Sequence, residues 1–130
     1  MIDAASVYAY VKALGETNPA YPTSATDGEG KVAPPTFAAV YALGAGAASM
    51  GRTGVAPNRI IHGEQEFTWK RALQVGDKVV TQGSIVDIYR KRSLQFVVAE
   101  GVVKDESGAE VARSRATLLI LPEPGSEDGD

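Results

Sequence analysis

The chain has 130 residues, no cysteine and one histidine, with a net charge of −3 and 44% hydrophobic residues. The lack of cysteine excludes a disulfide scaffold, an iron–sulfur site and a cysteine nucleophile, and a single histidine argues against a histidine-rich metal site. We therefore expect no metal and no cofactor. The composition is too apolar for a disordered chain, and it predicts one packed domain over residues 1–121.

Much of the negative charge lies in the last nine residues, 122–130, which carry four acids: Glu123, Glu127, Asp128 and Asp130. This segment has no apolar side chain to bury, so we expect a flexible acidic tail. The body of the chain is close to neutral, and it shows no basic face of the size that nucleic acid requires.

The uncharged segment 32–51 has the length of a membrane span. It opens with two prolines and is then rich in alanine and glycine, which insert poorly into lipid. We interpret it as a buried helix of a globular domain rather than as a membrane span. The chain begins without a basic segment followed by a long apolar stretch, so we expect a cytoplasmic protein.

In chain order, the first predicted element is a short helix that begins after Asp3 and ends at Gly15, with Val7, Val11 and Leu14 on one apolar stripe. A loop rich in proline and glycine follows over residues 15–34. The second helix is predicted from Thr36, as the N-cap, to Gly51. Because it carries no charge on any face, we expect it to be covered nearly all round.

Four segments after residue 57 are rich in β-branched and aromatic residues and are predicted as strands: Arg59–Trp69, Lys78–Tyr89, Ser93–Lys104 and Glu110–Leu121. The residues between the last two strands predict a hairpin turn. The order favours an α+β fold in which a curved antiparallel sheet wraps around one central helix of small residues.

Several segments carry a family resemblance: Gly15-Glu16-Thr17-Asn18-Pro19-Ala20-Tyr21, Ala33-Pro34-Pro35-Thr36-Phe37, the stretch FTWKRALQVGD at 67–77, and the last strand. Together they resemble the MaoC-like hydratase and dehydratase family, and especially its N-terminal, or A-type, half. The resemblance covers about residues 3–121. It implies the hot-dog fold and a homodimer or heterodimer, with acyl thioesters of coenzyme A or acyl-carrier protein bound at the interface.

Active members of this family carry the motif Gly-Asp-x-Asn-Pro-x-His, in which the aspartate and histidine position the catalytic water. Here Glu16 stands at the aspartate position and Tyr21 at the histidine position, whereas Asn18 is retained. A phenol is a poor base near pH 7, and the longer glutamate arm displaces the water. The departures predict an acyl-binding subunit that completes a heterodimer with a catalytic hot-dog chain.

Other residues are candidates for the same site. His62 is a substitute acid or base beside Glu64 or Glu66, although a hydrogen-bonded core histidine is the simpler interpretation. Thr36 and Phe37 open the central helix, where free amides bind a thioester oxygen. Tyr21, Asn18 and Glu64 are further candidates for lining the substrate site. The basic residues Arg90-Lys91-Arg92, Arg113 and Arg115 are candidates for contacting coenzyme A phosphates.

Three alternatives to the acyl-binding subunit stay open. The first is an active homodimeric (R)-specific enoyl-thioester hydratase or 3-hydroxyacyl-thioester dehydratase that uses Glu16 or His62. The second is a hot-dog thioesterase, which needs a carboxylate near the central helix, where the sequence has none. The third is an acyl-CoA-binding module without catalysis.

Overall fold

The computed structural model describes residues 1–122, so the predicted acidic tail lies almost wholly outside the described residues. Three helices precede four strands: α1 (Ala4–Leu14), α2 (Ala38–Tyr41), α3 (Leu43–Gly51), β1 (Ile60–Trp69), β2 (Val79–Lys91), β3 (Leu94–Asp105) and β4 (Glu110–Ile120). The strands form one antiparallel sheet in the order β1-β4-β3-β2, and the helices lie on one face of it. The predicted α+β architecture is confirmed.

Helix α1 has the ends that the sequence predicts. The Asp3 carboxylate accepts hydrogen bonds from the amide and the hydroxyl of Ser6, and Gly15 closes the helix in the left-handed conformation. Val7 and Val11 are buried, whereas Leu14 is exposed. The helix therefore covers one end of the sheet with a narrow apolar stripe.

The predicted central helix differs from the structure in its start and its continuity. It opens with a 3₁₀ turn, Pro35–Phe37, so Thr36 lies inside the turn and is not the N-cap. The helix is then interrupted at Ala42, between α2 and α3. Pro34 and Pro35 pre-set the backbone of the first turn. Neither has an amide hydrogen that a side-chain cap would need to satisfy.

The expectation that the central helix is covered nearly all round is wrong for the described chain. One face packs on the sheet, but Ala39, Val40, Gly44, Ala47 and Ala48 are exposed, and Val40 is 56% accessible. The helix is uncharged because its residues are small and apolar, and this composition alone does not bring a second covering layer. The uncharged outer face is instead left open.

Two glycines on the sheet set where α3 lies. A Cβ atom at Gly101 would lie 2.7 Å from the Ala42 carbonyl oxygen, and one at Gly83 would overlap the Ala45 carbonyl. Gly83 is in β2 and Gly101 is in β3, directly opposite each other. The helix backbone therefore rests on β2 and β3, off the centre of the sheet and away from β1.

The stretch at 67–77, which carries part of the family resemblance, holds two turns together through Arg71. Arg71 bridges Asp77 at 2.9 Å and Asp105 at 3.3 Å, and Asp77 also accepts the Gln74 amide at 2.9 Å. Between them Leu73 is buried in the core. Burial raises the pKa of the Asp77 carboxyl, but the hydrogen bonds from Arg71 and Gln74 outweigh burial and hold the pKa below its usual value. These ion pairs tie the β1–β2 connection to the β3–β4 turn.

We expect Gly101→Ala to destabilise the fold by about 1–3 kcal/mol, because the new methyl group forces α3 away from the sheet. Gly44→Ala is the matched control: its Cβ meets nothing within 4 Å, and replacing a helical glycine gains up to about 1 kcal/mol. Denaturant midpoints measure both changes. A neutral Gly101→Ala would contradict the close approach.

Arg71→Ala should cost about 1 kcal/mol, because the ion pairs are partly solvent-exposed. The lowered pKa of Asp77 means that its contribution is present above the unfolded-state pKa and is lost as the pH falls through the folded-state pKa. Melting temperatures measured from pH 6 down to pH 3 should therefore fall more steeply in the wild type than in Arg71→Ala. Lys78→Ala, which removes an exposed pair with Glu106, should leave the pH profile unchanged.

Candidate functional site

The loop after α1 uses the Glu16 and Asn18 side chains for its own geometry. The Glu16 carboxylate accepts the amides of Thr17 and Asn18, both at 3.0 Å. The Asn18 side-chain oxygen accepts the amide of Ala20 at 2.9 Å. Both residues line a shallow groove beside the end of α1. One oxygen of the Glu16 carboxylate, Oε1, therefore helps to fix the loop.

Tyr21 lies in a different cavity, of about 370 Å³, formed where the loop meets the start of the central helix and the end of β1. Its other walls include Pro34, Tyr41, Trp69 and Arg71. Burial raises the pKa of the Tyr41 hydroxyl, and a hydrogen bond with the Trp69 side chain partly offsets this. The two residues at the motif's acid and base positions, Glu16 and Tyr21, are thus placed in separate depressions.

Thr36 and Phe37 hold the central helix against α1. The Tyr10 hydroxyl donates to the Thr36 hydroxyl oxygen at 2.9 Å, and the Tyr10 ring meets Phe37 edge-to-face at 5.4 Å. Phe37 is buried, and its amide donates to the Pro34 carbonyl at 2.9 Å. The Phe37 amide is therefore engaged within the 3₁₀ turn.

A further, apolar depression lies between α3 and the β1–β4 side of the sheet, with a volume of about 410 Å³. Small residues of α3, including Gly46 and Ala47, form its roof, and Ala116 and Leu118 of β4 form its floor. The only polar side chains on its walls, within the described chain, belong to His62 and Ser114. A cavity of this size and character is typical of a small-molecule site.

A β-bulge in β1 separates His62 from Glu64. His62 pairs with Leu118, on the side of the sheet that faces α3, whereas Glu64 pairs with Thr117, on the opposite side. His62 accordingly lines the apolar cavity, and Glu64 lines a polar depression on the far face with Glu66 and Arg115. The structure does not bring His62 together with either carboxylate.

Sequence reasoning did not identify Ser114 as part of this region. The Gln65 amide donates to the Ser114 hydroxyl at 2.9 Å, and the Gln65 carbonyl oxygen is buried without a hydrogen-bond partner. A polar pair below an apolar helix carries no spacing signature in the sequence. The small residues of the central helix were the signal for the cavity itself.

The arginines proposed as phosphate contacts fall into two groups. Arg113 is paired with Glu100 and Glu110 on the sheet face opposite α3, and these two carboxylates neutralise the charge of its guanidinium group. Arg115 also approaches Glu100, at 3.7 Å. The basic turn at 90–92 makes no ion pair with any other residue in the described chain.

Comparison with known proteins identifies the family. The family model described as FAS1-like, dehydratase domain region, matches residues 1–114 of the sequence. The chain belongs to this family. Its relatives include UPF0336 proteins of Streptomyces avermitilis, 30% identical over 122 residues, and of Saccharopolyspora erythraea, 29% identical over 102 residues. The matches cover 85% and 75% of this chain, but 77% and 65% of those relatives.

Solved structures with the same fold include dehydratases, a hydratase and, at a TM-score of 0.55, a thioesterase of Thermus thermophilus. A MaoC-like dehydratase superposes with a TM-score of 0.79 at 19% identity, over 95% of this chain and 39% of the other. The HadBC (3R-hydroxyacyl-ACP dehydratase) complex of Mycobacterium tuberculosis superposes with a TM-score of 0.73 at 20% identity, over 92% of this chain and 88% of the other. The R-hydratase PhaJ1 of Pseudomonas aeruginosa superposes with a TM-score of 0.67 at 17% identity, over 94% of this chain and 76% of the other. The predicted hot-dog fold and the MaoC-like resemblance are confirmed.

No helix in residues 1–122 is long and apolar enough to cross a membrane. The same residues contain no cluster of three metal-binding side chains.

If the apolar cavity binds a substrate chain, Ala47→Leu should fill it and weaken binding of a long-chain acyl-CoA by about tenfold or more, because two or three buried CH₂ groups lose their place. Ala48→Leu is the control, since Ala48 is exposed on the same helix and does not line the cavity. Isothermal titration measures both. Equal affinity of the two variants would count against the cavity as the binding site.

Proposed function

We propose that this chain is an acyl-binding component of a MaoC-like (R)-specific enoyl-thioester hydratase or 3-hydroxyacyl-thioester dehydratase. It pairs with a second hot-dog subunit that carries the catalytic aspartate and histidine. The observation that carries the proposal is one of position: an apolar cavity is present, and neither Glu16 nor Tyr21 lines it.

The chemistry explains why this arrangement suits a binding subunit. Hydration adds the water oxygen to the β-carbon and a proton to the α-carbon, while negative charge develops on the thioester oxygen. A base must hold the water, and donors must stabilise the oxygen. In the proposal the partner supplies the base, and this chain supplies the apolar wall that orients the acyl group.

The acyl chain is the part of the substrate that this protein is suited to hold. The cavity of about 410 Å³ is walled almost entirely by carbon, and burial of each CH₂ group contributes about 0.8 kcal/mol. A medium or long acyl chain therefore gains more from this site than a short one. The carrier, whether coenzyme A or acyl-carrier protein, is bound through contacts that lie outside the cavity.

The main rival is an active homodimer that uses His62, and one observation favours it: His62 is on the cavity wall. A substitute base there lies near the acyl chain without the carboxylate partner that orients the family's histidine. Glu16 is less suited to the same role because it lines a separate groove beside α1 and not the apolar cavity.

We expect the purified chain to bind saturated acyl-CoA with an affinity that rises with chain length, and to show no hydration of trans-2-enoyl-CoA by loss of the enoyl absorbance. Substrates of four to twelve carbons should be compared, so that a short acyl chain is not the reason for inactivity. Turnover by the chain alone that disappears in His62→Ala or in Glu16→Ala would instead establish the active homodimer.

A further inference from the structure

The sheet has two edge strands, β1 and β2, and β1 is the edge that borders the apolar cavity. In residues 1–122 β1 pairs only with β4, so its outer backbone groups have no strand partner. Helix α3 rests over β2 and β3, at Gly83 and Gly101, and does not shield this edge. Trp69, at the end of β1, is 40% accessible although its ring packs at a tilt against Phe67. A second subunit at this edge would cover both the backbone and the aromatic pair.

Two carboxylates dominate this edge. Glu64 and Glu66 share the face of the sheet opposite α3, as their register with Thr117 and Arg115 shows. Both are exposed, and neither lies within ion-pair distance of a cation in the described part of the chain. Arg115, the nearest in register to Glu66, is paired with Glu100 at 3.7 Å instead. The edge therefore presents two carboxylates that no ion pair within the described residues neutralises.

These charges oppose pairing of β1 with a copy of itself. Two copies of β1 would pair antiparallel about a two-fold axis that passes through this segment. The carboxylates of one copy would then lie opposite or diagonal to those of the other. Like charges directly across a strand pair are destabilising, and symmetry makes each unfavourable contact occur twice. The same geometry stabilises pairing with a strand that carries cationic side chains at the facing positions.

We propose that Glu64 and Glu66 select the partner: they disfavour a homodimer through β1 and favour a different hot-dog chain whose edge strand carries lysine or arginine opposite them. This inference rests on the proposed function, in which a second subunit completes the site. It adds the strand through which that subunit joins and the chemistry that identifies it.

The test is to convert this chain into its own complementary partner. The double variant Glu64→Lys/Glu66→Lys carries the cations that the proposal assigns to the natural partner. We expect the wild type alone and the double variant alone to be weakly associated, and an equimolar mixture to dimerise about tenfold more tightly or better. Sedimentation velocity over a concentration series measures all three, and added salt should weaken the mixed dimer.

The control is Glu29→Lys/Glu106→Lys, which reverses two exposed charges away from β1. Mixing it with the wild type should give no gain. A mixture with the β1 variant that associates no better than the separate proteins overturns the inference, as does a wild-type dimer equally tight before and after Glu64→Gln/Glu66→Gln.

Acyl-CoA binding, measured on the same samples, separates the two claims. Retained binding without mixed dimers would overturn the partner selection and leave the proposed function standing. Mixed dimers from proteins that bind no acyl-CoA at any chain length would overturn the proposed function, and charge selection at β1 would stand without it.

Discussion

The close contact of α3 with β2 and β3 is the constraint on which the rest of the structure depends. Only residues without a side chain allow the carbonyls of Ala42 and Ala45 to approach the strands at Gly101 and Gly83. Because the helix is drawn to that half of the sheet, space remains between it and the β1–β4 half. The apolar cavity, which borders the β1 edge, is a result of this displacement.

The outer face of the central helix follows from the same small-residue composition. Alanine and glycine allow the backbone to lie close to the sheet, but they leave little side-chain area to bury on the other side. Ala47 contributes to both regions, since it is exposed and lines the cavity. The cavity therefore lies at the boundary between the packed and open parts of the molecule, where a second subunit would complete its wall.

Much of the fold could be predicted from the sequence because it depends on local patterns. The cap at Asp3, the left-handed Gly15 and the β-branched segments each indicate their own element. The break at Ala42 and the 3₁₀ start of the helix could not be predicted, because they depend on how α3 meets the sheet. The helix composition did not show which face is covered, since that depends on packing partners distant in sequence.

The candidate site was harder to predict for the same reason. Sequence adjacency grouped His62 with Glu64, but one bulge sends them to opposite faces. Glu16 and Tyr21 were grouped by a motif, and the structure places them in separate depressions. Their roles in binding or catalysis remain proposals. Bulges and side-chain hydrogen bonds of this kind leave no periodic signal.

The central claim is that the acyl chain enters the space under α3. The most direct measurement uses an acyl-CoA with a diazirine at the end of a medium-length chain, followed by photolysis and peptide mapping. The account predicts labels on α3 and on β4, around Met50 and Leu118, and their loss when unlabelled acyl-CoA competes. Labels confined to the loop at 15–34, or to the Tyr21 depression, would contradict it.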